Sequence, residues 1–100
     1  MSFIYQLKLS PRFQEASNWD EASNLIMESH FAYLKSLHEE GKATFVGRTD
    51  YPLDHADLFG LCVLKVEGVS EAEEIMQNDP AVKNGIMHAK IHPFKTIFSH

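Results

Sequence analysis

Residues 58–67 predict a β-strand that carries apolar side chains on both of its faces. Alternation along the segment gives two sets of three apolar residues: Phe59, Leu61 and Val63 in one, Cys62, Leu64 and Val66 in the other. Successive side chains of a strand point to opposite faces, so neither face of this strand suits water. The chain must therefore build a sheet in which this strand is central and both faces are covered.

Periodicity along the rest of the chain predicts a single domain spanning residues 1–100. Strands are expected over residues 2–9, 43–50 and 86–98, the last bent near Pro93, and helices over residues 19–40 and 70–78. The order strand, helix, strand, strand, helix, strand is typical of an α+β fold, the ferredoxin-like βαββαβ antiparallel sheet with its helices on one face. Its first and third strands are central, and the second and fourth are edges.

Capping residues predict where the helices begin and end. Asn18 or Ser17 is expected to cap the long helix, and Gly41 to end it. Ser70 is the predicted cap of the second helix. Asp79 precedes a proline, an arrangement that favours the start of a further helical turn.

The second apolar face of the third strand predicts an interface, because two helices cover only one face of the sheet. We expect a second copy of the chain to cover it, sheet against sheet about a two-fold axis, with at least ~1,000 Å² buried. A monomer whose loops shield this face is the alternative. Leu61→Glu and Leu64→Glu should therefore disturb either the dimer or the helix-side core, and the sequence does not assign the two residues to their faces.

Composition and charge exclude several functional classes. The 100 residues include 9 Lys and Arg against 14 Asp and Glu, a formal net charge of −5. This balance argues against nucleic acid as a partner, since binding to phosphates rests on Lys and Arg. We expect no membrane partner, because no apolar run reaches 18 residues. With no signal-peptide pattern and a single cysteine, Cys62, we expect a cytoplasmic location.

Two polar residues, His30 and Asp79, are candidates for chemistry. On a helical wheel His30 falls within the apolar stripe that contains Ile26, Leu34 and Leu37, which directs its imidazole toward the sheet. A buried imidazole needs hydrogen-bond partners, and a carboxylate would also select its tautomer. The alternatives are a core histidine that binds a backbone carbonyl or water, and an Asp79 that serves only as a helix cap.

Other chemistry-bearing side chains are weaker candidates. Arg48, on the second strand, suits the carboxylate or phenolate of a ligand if it faces a pocket, and otherwise is a solvated edge-strand residue. Cys62 lies in mid-strand and is predicted to be a small core residue rather than a nucleophile. His88 and His92 share a strand face but lie ~13 Å apart, too far for one metal ion. We expect no metal and no cofactor, since no ligand spacing or phosphate-binding loop is present.

Several short motifs resemble those of one known family. They are His30 with Tyr33-Leu34, Glu40-Gly41, Gly47, Asp79-Pro80-x-Val82-x-x-Gly85, and Pro93-Phe94. Over nearly the whole chain this pattern resembles the YciI-like (YCII-related) family. The resemblance implies a ferredoxin-like domain of the dimeric α+β barrel superfamily, with His30 and Asp79 as its active-site pair. Where many relatives have proline after Gly47, this chain has Arg48, which changes the rim and charge of the implied pocket.

The resemblance also implies lyase-like chemistry on small, often aromatic, compounds, including loss of halide. We therefore expect a cytoplasmic homodimer with an unknown small-molecule ligand, in which His30 moves a proton and Asp79 orients the imidazole. The alternative is a non-catalytic small-molecule-binding or interaction module in which the same pair is structural. We expect a His30–Asp79 hydrogen bond of roughly 2.7–3.2 Å, with the second ring nitrogen facing a cavity.

Overall fold

The computed structural model describes residues 1–100 as one four-stranded antiparallel sheet with helices. In chain order the elements are β1 (Ser2–Leu9), two short 3₁₀ turns (Pro11–Gln14 and Ala16–Asn18), α1 (Glu21–Glu39), β2 (Ala43–Arg48), β3 (Gly60–Lys65), α2 (Val69–Asn78), α3 (Pro80–Lys83) and β4 (Met87–Phe94). The strand order is β2-β3-β1-β4, and every neighbouring pair is antiparallel. The predicted α+β fold is confirmed, with the first and third strands at the centre.

The hydrophobic core lies between one face of the sheet and the helices. From β1, Phe3, Tyr5 and Leu7 are buried, while the residues between them are only partly so. On β3 the buried members are Cys62 and Leu64. Against them pack Leu34 and Leu37 of α1 and Ala72 and Ile75 of α2. Period-two burial on the strands and helical spacing on α1 thus produce the same core, as the sequence pattern predicts.

The opposite face of the sheet carries an apolar stripe that no helix covers. Across three adjacent strands, Val63 pairs with Ile4 on one side and with Phe45 on the other, and Phe45 is 56% exposed. Leu64 belongs to the helix-side core with no exposed surface, so its neighbours Val63 and Leu61 point to the open face. The structure thereby assigns the two faces that the sequence left open.

The start of α1 differs from the sequence prediction. Its N-cap is Asp20, whose carboxylate accepts a hydrogen bond from the Ser23 backbone at 2.9 Å, while the Ser23 hydroxyl accepts from the Asp20 backbone at 2.8 Å. Asn18 instead ends a 3₁₀ turn and donates its side-chain amide to the Arg12 carbonyl at 2.8 Å. The prediction of Asn18 or Ser17 as cap was wrong because this preceding segment has its own hydrogen bonds.

Two other predicted boundaries also shift. The second helix begins at Val69 with Gly68 as its N-cap, so Ser70 lies inside the first turn and caps nothing. The last strand ends at Phe94 rather than continuing to residue 98. Pro93 pairs with Phe3 in register and is tolerated because β4 is an edge strand. Gly41 adopts a φ of +79°, as its predicted position after the helix requires.

No helix in this fold combines the length and the apolar character that crossing a membrane requires.

Candidate functional site

His30 and Asp79 form a buried pair, as the sequence predicts. His30 lies on the sheet-facing side of α1 and is 3% exposed, and Asp79 has no exposed surface. Imidazole Nδ1 lies 2.6 Å from Asp79 Oδ1, slightly shorter than the predicted range. An ionised carboxylate only accepts hydrogen bonds, so Nδ1 is the nitrogen that carries the proton in the neutral ring. The lone pair of that ring is then on Nε2.

The local structure around Asp79 fixes its carboxylate. Asp79 is the N-cap of α3, with Pro80 at the first helical position, and its Oδ1 also accepts from the Ala81 backbone N–H at 3.0 Å. The capping role proposed from sequence and the pairing with His30 therefore coexist on one oxygen atom. A short helix entered through proline holds the carboxylate in place from the backbone side.

Tyr5 supplies a third contact that the sequence analysis did not identify. Its hydroxyl, projecting from β1 at the centre of the sheet, donates to Asp79 Oδ2 at 3.1 Å. Tyr5 has no exposed surface, and burial, with added repulsion from Cys62 and Asp79, raises the pKa of its phenol well above the usual range. The hydroxyl therefore stays protonated and serves as a permanent donor to the carboxylate.

A cavity of about 260 Å³ opens beside the imidazole. Its lining is mostly apolar and includes Trp19, Met27, Phe31, Leu53, Leu58 and Phe59. Ligand cavities commonly measure ~300–1,000 Å³ for drug-sized molecules, so this one suits a smaller compound such as a single substituted ring. Gly60 also lines the cavity, where the absence of a side chain leaves room.

His30 presents its second nitrogen to this cavity. Every fully buried side-chain nitrogen and oxygen in the structure has a hydrogen-bond partner. The hydrogen bond of His30 uses Nδ1 alone, so Nε2 keeps its access to the cavity that His30 lines. The imidazole thus has one nitrogen fixed by a carboxylate and one available to a ligand, which is the arrangement of a general base.

Arg48 lines the same cavity, and its neighbour Thr49 does not. Arg48 is exposed and forms no ion pair with any carboxylate of the chain. The Thr49 hydroxyl binds within the chain instead, donating to the Asp57 carbonyl at 2.7 Å and accepting from the Phe59 backbone at 3.0 Å. Arg48 is therefore the one cation that the cavity wall offers to a ligand.

Cys62 and Tyr33 lie near the pair without joining it. Burial raises the pKa of the Cys62 thiol to about 12, which keeps it protonated and a poor nucleophile at neutral pH. Burial likewise raises the pKa of Tyr33 to about 12, and its hydroxyl donates to the Ile75 carbonyl at 2.8 Å. Both residues support the core. No group of three His, Cys, Asp or Glu side chains is arranged to hold a metal ion.

Several residues of the site lie outside what the sequence analysis proposed. Trp19 reaches the cavity from the segment before α1, held by a hydrogen bond from its indole to the Phe13 carbonyl at 2.8 Å and by edge-on packing on the Phe13 ring at 5.3 Å. Leu53 and Leu58 come from the connection between β2 and β3, although Leu58 was predicted to begin the third strand and Leu53 had no predicted role. Their apolar character was the available signal for a role in the cavity wall.

Comparisons with known proteins show the family and the fold of the chain. The family model described as YCII-related domain matches residues 1–95. Among solved structures, the chain is similar to the 5-chloro-2-hydroxyhydroquinone dehydrochlorinase TftG from Burkholderia phenoliruptrix AC1100, in complex with 2,5-dihydroxybenzoquinone. The TM-score is 0.69 at 20% identity, covering 95% of this chain and 94% of the neighbour, so the likeness shows a common fold. No curated protein sequence matches the chain.

Proposed function

The chain belongs to the YCII-related domain family, and we propose that it is an enzyme that performs acid–base, lyase-like chemistry on a small organic substrate. His30 and Asp79 are the proposed catalytic pair, and Arg48 the proposed substrate-binding residue. Aromatic compounds are the substrate class to test first, because the TftG enzyme of the same fold acts on a chlorinated hydroxyhydroquinone.

The observation that carries the proposal is that only one of the two ring nitrogens of His30 is bound to the protein. Nδ1 is bound to Asp79 at 2.6 Å, and Nε2 has access to an apolar cavity. A histidine that served only to fill the core would have both nitrogens bound to the protein or sealed from solvent. An accessible Nε2 in a cavity large enough for one ring favours catalysis over a structural pair.

The proposed reaction begins when Nε2 removes a proton from the substrate. The electron pair of that bond forms a new double bond, and the leaving group, halide in a dehydrochlorination, departs with its own electron pair. Asp79 stabilises the imidazolium formed in this step and holds the ring in place. Since Asp79 accepts all its hydrogen bonds from groups inside the protein, it needs no solvent to do so.

Arg48 provides the charge that an anionic substrate would meet. Arg48 has no ion-pair partner within the chain and lines the cavity that His30 also lines. A phenolate or carboxylate there forms charge-assisted hydrogen bonds, which are about twice as strong as neutral ones. The remaining walls are apolar, so a planar ring with one anionic substituent fits both parts of the cavity.

The proposal includes a homodimer in the cytoplasm. The open face of the sheet, with Val63 at its centre between Ile4 and Phe45, supplies the apolar surface that a second copy would cover. The buried free thiol of Cys62 suits a reducing compartment. Light scattering at micromolar protein concentration tests the assembly: a mass of twice 11.4 kDa supports the dimer, and a stable 11.4 kDa species contradicts it.

The catalytic test measures chloride release from chlorinated hydroxyhydroquinones by the wild-type protein and by His30→Gln. General acid–base catalysis contributes typically ~10²–10⁴-fold, so His30→Gln should lose at least ~100-fold in rate while staying folded. His38→Gln is the matched control: His38 lies on the same helix and binds the Ala43 carbonyl at 2.8 Å, away from the cavity. Equal rates for His30→Gln and His38→Gln would refute the assignment.

A second variant tests the cavity independently of the chemistry. A Cβ at position 60 would lie 3.5 Å from Leu7, an ordinary contact, so Gly60→Ala should fold. Its side chain would occupy part of the cavity that Gly60 now leaves free. We expect 2,5-dihydroxybenzoquinone to raise the melting temperature of the wild-type protein more than that of Gly60→Ala, since a ligand stabilises only a state that binds it.

A further inference from the structure

We infer that Tyr5 is a positioning residue of this site, which acts through the Asp79 carboxylate to set the orientation and proton affinity of His30. The inference rests on the proposed function for its catalytic meaning, but the coupling of Tyr5 to His30 is measurable without a substrate.

The three side chains form a continuous chain of hydrogen bonds through the core. Tyr5 donates to Asp79 Oδ2 at 3.1 Å, and His30 donates to Asp79 Oδ1 at 2.6 Å. All three are buried, with exposures of 0%, 0% and 3%. They come from β1, the N-cap of α3 and α1, so no local sequence relation requires them to meet. Such a network of buried hydrogen bonds holds each member in one orientation.

Tyr5 occupies the oxygen atom that the other contacts of Asp79 leave free. The His30 ring and the Ala81 backbone N–H both bind Oδ1, at 2.6 and 3.0 Å. Without the Tyr5 hydroxyl, Oδ2 would be a buried acceptor with no partner and the carboxylate could turn about its terminal bond. The hydroxyl thus resists rotation of the carboxylate and keeps Oδ1 directed at the imidazole.

The hydroxyl also moderates the negative charge that His30 meets. A hydrogen bond donated to a carboxylate withdraws part of its charge, and the nearby imidazolium is then less strongly stabilised. Loss of the donor leaves Asp79 a stronger partner for the imidazolium. We therefore expect the imidazolium form of His30 to persist to higher pH in Tyr5→Phe than in the wild-type protein.

The other groups around the pair do not change their charge in the pH range where a histidine titrates. Burial raises the pKa of Cys62 on β3 and of Tyr33 on α1 to about 12, so both stay neutral in the range where a histidine titrates. Arg48 on β2 keeps its positive charge throughout. The residue from β4 that lines the cavity, Met87, carries no charge.

The experiment follows the imidazole nitrogens of His30 by ¹⁵N NMR across a pH series, in wild-type protein and in Tyr5→Phe. His30→Gln identifies the signals to be followed. Tyr33→Phe is the matched control, since it removes a buried tyrosine hydroxyl that binds the Ile75 carbonyl rather than the carboxylate. The expected result is a higher titration midpoint in Tyr5→Phe alone, with the Nδ1–H tautomer retained. Midpoints equal to wild type in both variants would overturn the inference.

A second measurement applies if Tyr5→Phe does not fold. The chain has three tyrosines, so in the double variant Tyr33→Phe/Tyr51→Phe the remaining one is Tyr5. Biosynthetic 3-fluorotyrosine then makes the Tyr5 hydroxyl a stronger donor without changing its position. The His30 midpoint should move to lower pH than in the unfluorinated double variant, and an unchanged midpoint would contradict the coupling.

Activity separates this inference from the proposed function. With a substrate in hand, Tyr5→Phe should lower kcat about tenfold and leave KM nearly unchanged, because Tyr5 does not line the cavity. If the wild-type protein releases no chloride but the His30 titration shifts in Tyr5→Phe, the proposed chemistry is contradicted and the coupling of Tyr5 to His30 is supported. If the wild-type protein releases chloride but the His30 titration is unchanged in Tyr5→Phe, the coupling is contradicted and the proposed chemistry is supported.

Discussion

The stability lost on replacing Asp79 shows whether its carboxylate is the centre of a buried hydrogen-bonded network or only an ordinary helix cap. The carboxylate accepts from His30 Nδ1, Ala81 N and the Tyr5 hydroxyl, at 2.6, 3.0 and 3.1 Å. Asp79→Ala leaves all three donors unpaired in the core, and each unsatisfied buried group costs ~1–3 kcal/mol. Since neighbouring losses are not additive and the site can relax, we expect a decrease of about 3–6 kcal/mol in the free energy of unfolding.

Asp79→Asn should cost much less. Its carbonyl oxygen can accept from His30 and Ala81, and its amide can donate to Tyr5 if the phenol hydroxyl rotates to accept. What is lost is the charge assistance, the difference between ~1.5–3 kcal/mol for a charged hydrogen bond and ~0.5–1.5 kcal/mol for a neutral one, or about 1–2 kcal/mol. The orientation of His30 is kept but its imidazolium loses a counter-charge, so the reaction should slow less than in His30→Gln.

Urea unfolding at pH 7, followed by circular dichroism, measures both changes. Asp20→Ala is the matched control, because Asp20 also caps a helix through its carboxylate but lies exposed at the surface. The expected order of destabilisation places Asp79→Ala first, well above both Asp79→Asn and Asp20→Ala. If Asp79→Ala costs no more than Asp20→Ala, or if the alanine and asparagine variants are equally destabilised, the carboxylate is not the centre of a buried network.

Three further predictions concern the open sheet face, the buried thiol and the cap of α1. Val63→Glu should convert the proposed dimer to a folded monomer, seen as an 11.4 kDa species by light scattering, whereas Leu64→Glu, on the fully buried face, should unfold the chain. If Val63→Glu is still a dimer, the interface lies elsewhere. Cys62, whose pKa burial raises to about 12, should resist a thiol reagent at pH 8 in the native protein and react fully in urea; fast native labelling would contradict its burial. The backbone and side chain of Ser23 lower the pKa of Asp20, so its stability advantage over Asp20→Asn should be full above roughly pH 4 and decline as the pH falls toward the lower folded-state value. An advantage that is the same in urea titrations at pH 5 and at pH 2 would contradict this.

The sequence predicted those parts of the fold that depend on strong periodicity. Alternation in β1 and β3 places both strands at the centre of the sheet, and their buried faces are those that meet the helices. Helix starts were less predictable because polar residues compete locally for the same donors. Asn18 has the chemistry of a cap, but its amide is used by the Arg12 carbonyl at 2.8 Å, so Asp20 takes the role.

The candidate site was predictable in part for the same reason. His30 stands out as a polar residue in an apolar helical stripe, and the family resemblance supplied Asp79, 49 residues away, as its partner. Tyr5 gave no comparable signal, since a tyrosine in an alternating strand is ordinary and its hydroxyl partner is 74 residues distant. The Trp19 and Leu53 walls come from irregular segments whose paths no periodicity predicts.

The most direct test of the proposed chemistry is a crystal structure of the protein with 2,5-dihydroxybenzoquinone bound. We expect the ring in the cavity beside α1, with one oxygen within roughly 2.6–3.2 Å of His30 Nε2 and an anionic oxygen on the Arg48 guanidinium. His30 Nδ1 should remain on Asp79. A ligand bound elsewhere, or an Nε2 turned away from an occupied cavity, would contradict the assignment of His30 as the group that moves the proton.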